Sequence, residues 1–156
     1  MVIPATAGKQ HRGYHRQQVH HVKKHYAKKI HRKKAFKPVV EAVIDVSSQT
    51  MSVTINGTAY ASWRVSTGRK GYYTPHGSFR VSRMAAVYYS KKYDSSPMPH
   101  SVFFSGGNAI HGTTHTGSLG RPASHGCVRL APGNAATLFN LIREYGAGRT
   151  RITVQN

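Results

Sequence analysis

Apolar and polar positions along the chain form two textures that meet near Pro38. From Val39 onward, β-branched and apolar residues come in short runs with the two-residue period of half-buried strands. VVEAVIDV (39–46) predicts a first strand, closed by a turn at Ser47-Ser48. TMSVTI (50–55) predicts a second, and TAYASWRVST (58–67) a third. Between them stands Asn56-Gly57, a pair that accepts the positive φ angles of a two-residue hairpin. Thr74-Pro75-His76-Gly77 carries Pro and Gly where a type I turn wants them, ahead of the alternating run SFRVSRM (78–84). VFFSGGNAIHG (102–112) reads as one strand or a pair of strands ending at a glycine.

Beyond Pro38, only one stretch has a full helical period. Leu138, Leu141, Ile142 and Tyr145 make an i, i+3, i+4, i+7 stripe, which predicts a helix from Pro132 to Tyr145. Pro132 suits its first turn and Gly146 its C-terminal cap. RTRITV (149–154) then alternates as a final strand. The stretch 84–102 follows neither period, and its tyrosines, Met98 and prolines fit a long loop bordering a binding cleft. The expected fold is mostly β with one late helix, without internal repeats.

Composition sharpens the boundary. The chain has 23 Lys and Arg against 4 Asp and Glu, a formal +19. Residues 1–37 hold 11 of those cations, six histidines and no acid, so 12 cations and all four acids remain in 38–156, or +8. The expected organisation is a basic N-terminal arm, residues 1–37, before one folded domain, residues 38–156. Repulsion and scarce apolar residues predict an arm that is extended, or helical only transiently on an anionic surface, since Val19, Val22, Tyr26 and Ile30 fall near helical spacing. Such charge favours polyanionic partners, and its sign alone does not choose among nucleic acid, lipid and envelope polymer. A domain of roughly 120 residues buries enough surface to stand without disulfide or metal. No apolar run approaches the ~20 residues of a membrane-spanning helix. Ala5-Thr6-Ala7 has the form of a signal cleavage site with too few apolar residues before it, so it reads as the stub of a shortened signal or as chance.

A single cysteine, Cys127 in SHGCVRL, excludes an internal disulfide and a cysteine-based zinc site. Gly126 and His125 before it, with Arg129 after it, are poor wrapping for an inert buried thiol. A reactive thiol needs a base or a neighbouring cation, exposure, and N–H donors for the oxyanion made by attack on a carbonyl. Gly126 permits a tight backbone path, and the N–H groups around Gly126 and Cys127 are the expected donors. His125 is only two residues from the sulfur, which restricts its geometry. His111, in AIHGTTHTG, closes a strand before a glycine turn and is the favoured base, with His125 an adjacent donor. Two other classes compete. A polyanion binder with a vestigial site would bind with steep salt dependence and without regard to Cys127. A metal binder would use His11/His15 and His21/His25 at i, i+4 spacing, but no carboxylate or thiolate completes such a site, so no metal is expected.

The run IHGTTHTGSLGRPASHGCVRL resembles the signature of the L,D-transpeptidase catalytic domain, the YkuD-like family of bacterial cell-wall enzymes. Its parts are a His-Gly turn, a loop containing Leu-Gly, and Ser-His-Gly-Cys followed by an apolar residue and Arg. Upstream, IDVSSQTMSV, RVSTG, TPHGSFRV and SVFFSGGNAIHGT resemble the family's other blocks in the same order, and the likeness covers about residues 39–154. It implies a β-sandwich-like fold with Cys127 as nucleophile in a cleft and His111 as the base. The Gly112 carbonyl would orient that ring, Ser124, His125 and Gly126 would line the site, and Arg129 would face a substrate carboxylate. The implied reaction is acyl transfer on a peptidoglycan tetrapeptide stem, with loss of D-alanine and no cofactor. Its product is a 3→3 cross-link or another amine adduct, or a carboxypeptidase product where water attacks. The resemblance also implies reaction with carbapenems and a location in the cell envelope. Residues 9–37 would then hold anionic envelope polymers, with no specific nucleic acid.

Overall fold

The computed structural model describes residues 37–156. The basic arm, apart from Lys37, lies outside the described residues, as do the paired histidines and the possible signal stub within it.

Among the described residues, nine strands form two sheets. In the first, β1 (Val40–Asp45) is central, flanked by β2 (Thr50–Ile55) and by β9 (Thr150–Gln155). β3 (Thr58–Arg64) and β4 (Gly77–Arg80) take the edges. β1 and β9 run parallel, and the other neighbours are antiparallel. The predicted alternation is what the sheet uses. Val40, Ala42 and Ile44 turn inward on β1, opposite Thr150, Ile152 and Val154 on β9. Asn56 (φ 50°) and Gly57 (φ 80°) are both left-handed, as the two-residue hairpin requires.

The second sheet has the order β5 (Arg83–Ala85), β6 (Ser101–Ser105), β7 (Asn108–Gly112), β8 (Val128–Leu130), with β7 and β8 parallel. The helix α1 spans Pro132–Tyr145, with Pro in its first turn and the Gly146 N–H closing on the Ile142 carbonyl. Its buried Leu138, Phe139, Leu141 and Ile142 join both sheets in one apolar core. The mostly β, two-sheet fold with a single late helix matches the expectation. Among the described residues, no helix is long and apolar enough to cross a membrane.

Three local expectations change. Thr74–His76 forms no turn and leads directly into β4 at Gly77; the hydrogen-bonded turn lies earlier, where the Tyr72 N–H meets the Arg69 carbonyl and Gly71 has φ 84°. The run SFRVSRM is not one strand. It leaves the first sheet after Arg80 and enters the second at Arg83, anchored by the Ser82 N–H on the Phe103 carbonyl at 2.8 Å. VRL, read only as the tail of the cysteine motif, is strand β8.

Candidate active site

Cys127 and His111 are 16 positions apart in sequence and are brought together by the β7–β8 pairing. Ile110 faces Val128, His111 faces Arg129 and Gly112 faces Leu130. Alternation then sorts the side chains. Ile110, Val128 and Leu130 enter the common core. His111, Arg129 and Cys127 point the other way and line one cavity. Cys127 itself packs beside Met98, Phe103 and Ala109.

The loop before the sulfur is fixed by its own side chain. Ser124 is fully buried; its hydroxyl donates to the Cys127 carbonyl at 2.5 Å and accepts the Gly126 N–H at 3.0 Å. Gly126 adopts φ 110°, and a Cβ there would meet Asn108 Oδ1 and the Tyr73 carbonyl at 2.9 Å each. Only glycine fits. The RVSTG block clamps the loop from outside: Ser66 and Arg129 exchange backbone hydrogen bonds of 3.0 and 2.9 Å, and the Ser124 N–H reaches the Thr67 carbonyl at 2.9 Å. Buried Thr74 completes the clamp, its hydroxyl donating to the Gly126 carbonyl and accepting the Gly68 N–H, both at 2.9 Å. Gln49 holds Thr67 in turn, through a 2.9 Å bond from the Thr67 N–H and a 2.6 Å bond to its hydroxyl.

This bonding corrects one expectation. The Gly126 N–H is spent on Ser124 rather than directed into the cleft, so of the two expected loop donors the Cys127 N–H remains. The Ser124 hydroxyl likewise serves the loop.

The His111 ring is oriented by its neighbour, with Nδ1 lying 2.7 Å from the Gly112 carbonyl. A carbonyl only accepts, so the proton sits on Nδ1 and Nε2 is left as the acceptor. His111 is 6% exposed, and burial lowers its pKa to about 4, with Arg129 pushing the same way and the Gly112 bond opposing. Burial also pushes the Cys127 thiol up, against the opposing pull of the Ala109 N–H and of Arg129. The resting pair is therefore a neutral imidazole and a protonated thiol.

His125 sits on the rim of the site. Its ring stacks on Tyr93 (4.5 Å, 22°) and meets Tyr72 edge-on (4.5 Å, 89°). Its pKa is lowered by burial and by the nearby Arg69, Arg129 and Lys92. Arg129 is partly buried, lines the His111 cavity, and braces the loop with a 3.5 Å contact to the Ala123 carbonyl.

Two cavities, of about 330 and 350 Å³, open on Cys127. Ser90, Tyr93 and Met98 line both, so the irregular 84–102 stretch does border a cleft, between a strand at either end. Sequence reasoning missed Thr74, read only as a turn residue, and Asn108 and Tyr72 as neighbours of the cysteine loop. Among the described residues, no three His, Cys, Asp or Glu side chains gather as metal ligands.

Comparison with known proteins places this geometry in context. The family model of the L,D-transpeptidase catalytic domain matches residues 40–154. The chain is similar to an L,D-transpeptidase from Stackebrandtia nassauensis at 28% identity and TM-score 0.67, over 80% of this chain and 58% of that one. It resembles an L,D-transpeptidase from Mycobacterium smegmatis at 25% identity and TM-score 0.67, over 76% of this chain and 59% of that one. An L,D-transpeptidase solved in complex with imipenem matches at 25% identity and TM-score 0.65, over 75% of this chain and 59% of that one. The match thus spans under two thirds of each of these relatives. No curated protein matches the chain.

Proposed function

The chain belongs to the L,D-transpeptidase catalytic domain family, and from that membership we propose that it is a peptidoglycan L,D-transpeptidase that carries the acyl group on the Cys127 sulfur. The observation behind this is the shared cavity of Cys127 and His111, with His111 Nδ1 tied to a carbonyl and Nε2 left free to take a proton. As the sulfur attacks the carbonyl of residue 3 in a tetrapeptide stem, Nε2 takes the thiol proton and a C–S bond forms. The C–N bond to D-alanine then breaks, and the proton passes to the leaving amine. An acceptor amine attacks the thioester, forming a new C–N bond as the C–S bond breaks; its proton returns through His111 to the sulfur. The Cys127 N–H faces the oxyanion, His125 supports the substrate at the rim, and Arg129 holds the carboxylate of the departing D-alanine. This chemistry calls on no cofactor.

Such a substrate requires an extracytoplasmic setting. The arm, residues 1–37, is then a tether to carboxylate- or phosphate-rich envelope polymers, separate from the catalytic unit 38–156.

Mass spectrometry tests the reading. Imipenem should add one mass to the protein, mapped to Cys127 and absent in Cys127→Ala. A muropeptide tetrapeptide should release D-alanine and yield a dimer. Tripeptide without dimer would make the protein an L,D-carboxypeptidase. Absence of D-alanine release, whatever imipenem does, would overturn the assignment.

A further inference from the structure

Both cavities end at Cys127, but only one contains the base. His111 lines the cavity that also holds Arg129 and Asp94, and it does not line the other. Given the transpeptidase reading above, on which this inference rests, the leaving amine collects a proton from His111 and the incoming amine gives one back. Both amines therefore use the His111 side. The retained acyl half of the donor is left with the second cavity.

That second cavity is cationic. Arg83, Lys91 and Lys92 line it, and no carboxylate does. Lys92 also lies over an aromatic ring, its Nζ 5.4 Å from the centre of Tyr93, but Arg83 is held more closely. It lies directly opposite Phe103 across the β5–β6 pair. Its guanidinium carbon sits 3.8 Å from the centre of the Phe103 ring and 4.8 Å from that of Tyr88. Those two rings meet edge-on at 84° and brace one another. Stacking engages the faces of a guanidinium and leaves its in-plane N–H donors available, in a fork that matches a carboxylate. Fixed on aromatic surface, the group loses little freedom when it binds. We propose that Arg83 reads a carboxylate on the retained half of the donor stem, making the enzyme selective for a donor whose carboxylate is free over its amide.

Two positions can supply that carboxylate: residue 2 of the stem, or the side chain of a diamino acid at residue 3. Kinetics with tetrapeptides amidated at one position, the other or neither distinguish them. In the unaltered protein, one amidation should lower kcat/KM for D-alanine release by about tenfold or more, the strength of a lost charge-assisted pair. In Arg83→Gln that penalty should shrink to near unity. Arg83→Lys keeps the charge without the fork, so an intermediate penalty is expected, which also guards against misreading a folding defect. The proposal is overturned if neither amidation matters in the unaltered protein, or if the penalty persists in Arg83→Gln. If no peptide is turned over at all, the stem-peptide assignment itself fails, whatever imipenem does.

Discussion

Burial, more than any neighbouring charge, sets the chemistry at His111 and Cys127. It lowers the imidazole to about pKa 4 and raises the thiol, so in the proposed reaction the proton would move during attack rather than before it. The acid limb of imipenem acylation should then lie near pH 4, and a limb near the ordinary 6.5 would contradict the buried, neutral base. Stability follows the same group. Between about pH 4 and 6.5 the unfolded chain binds a proton at His111 that the folded chain refuses, so stability declines as pH falls through that window. The full difference is on the order of 3 kcal/mol. Urea midpoints at pH 7 and pH 4.5 should separate less in His111→Gln than in the unaltered protein; equal separations would sink the argument. The residue types were legible in the sequence, since His-Gly and Ser-His-Gly-Cys name the groups. The direction of the thiol shift was not, because Arg129 two residues away is visible in the string while the burial around the sulfur is a product of the fold.

At the scale of elements, the site is a seam between two parallel strands and a clamp across the loop. The seam depends on β8, three residues whose Val-Arg-Leu pattern is too short to announce a strand. The hairpin at Asn56-Gly57 and the helix Pro132–Tyr145 were readable because turn chemistry and helical period are local signals. The clamp was not, because its bonds join residues far apart in the chain: Thr74 to Gly126 and Gln49 to Thr67. The same cause hid the division of SFRVSRM between two sheets. Thr74 provides the test. Thr74→Val keeps the shape but strands the Gly68 N–H and the Gly126 carbonyl, at about 1–3 kcal/mol for each buried group left unpaired. Thermal unfolding should show that loss, and imipenem acylation should slow although Thr74 lines neither cavity. Unaltered acylation in a folded Thr74→Val protein would mean the loop keeps its shape without the clamp.

Across the whole molecule, charge is divided unevenly. Residues 1–37 carry 11 of the 23 cations and none of the four acids. The remaining +8 includes Arg69, Lys92 and Arg129, close enough to the cleft to depress the His125 pKa. An anionic polymer of the kind proposed for the arm would meet two positive regions of different kinds. Those at the cleft are held in geometry, as Arg129 is by its contact with Ala123, and act on a ligand already docked. The arm's charges act by number, and their attraction is screened beyond a Debye length of about 8 Å at physiological ionic strength. Selectivity should then follow the cleft, and retention on the polymer should follow the arm. Removing residues 1–37 should weaken binding to purified cell walls at low salt and flatten its salt dependence, while imipenem labelling of Cys127 proceeds at its former rate. Cosedimentation across a salt series measures the first effect and intact mass the second. Wall binding that survives the deletion with its salt dependence intact would move the anchoring charge to the catalytic unit, and the arm would lose its assigned role.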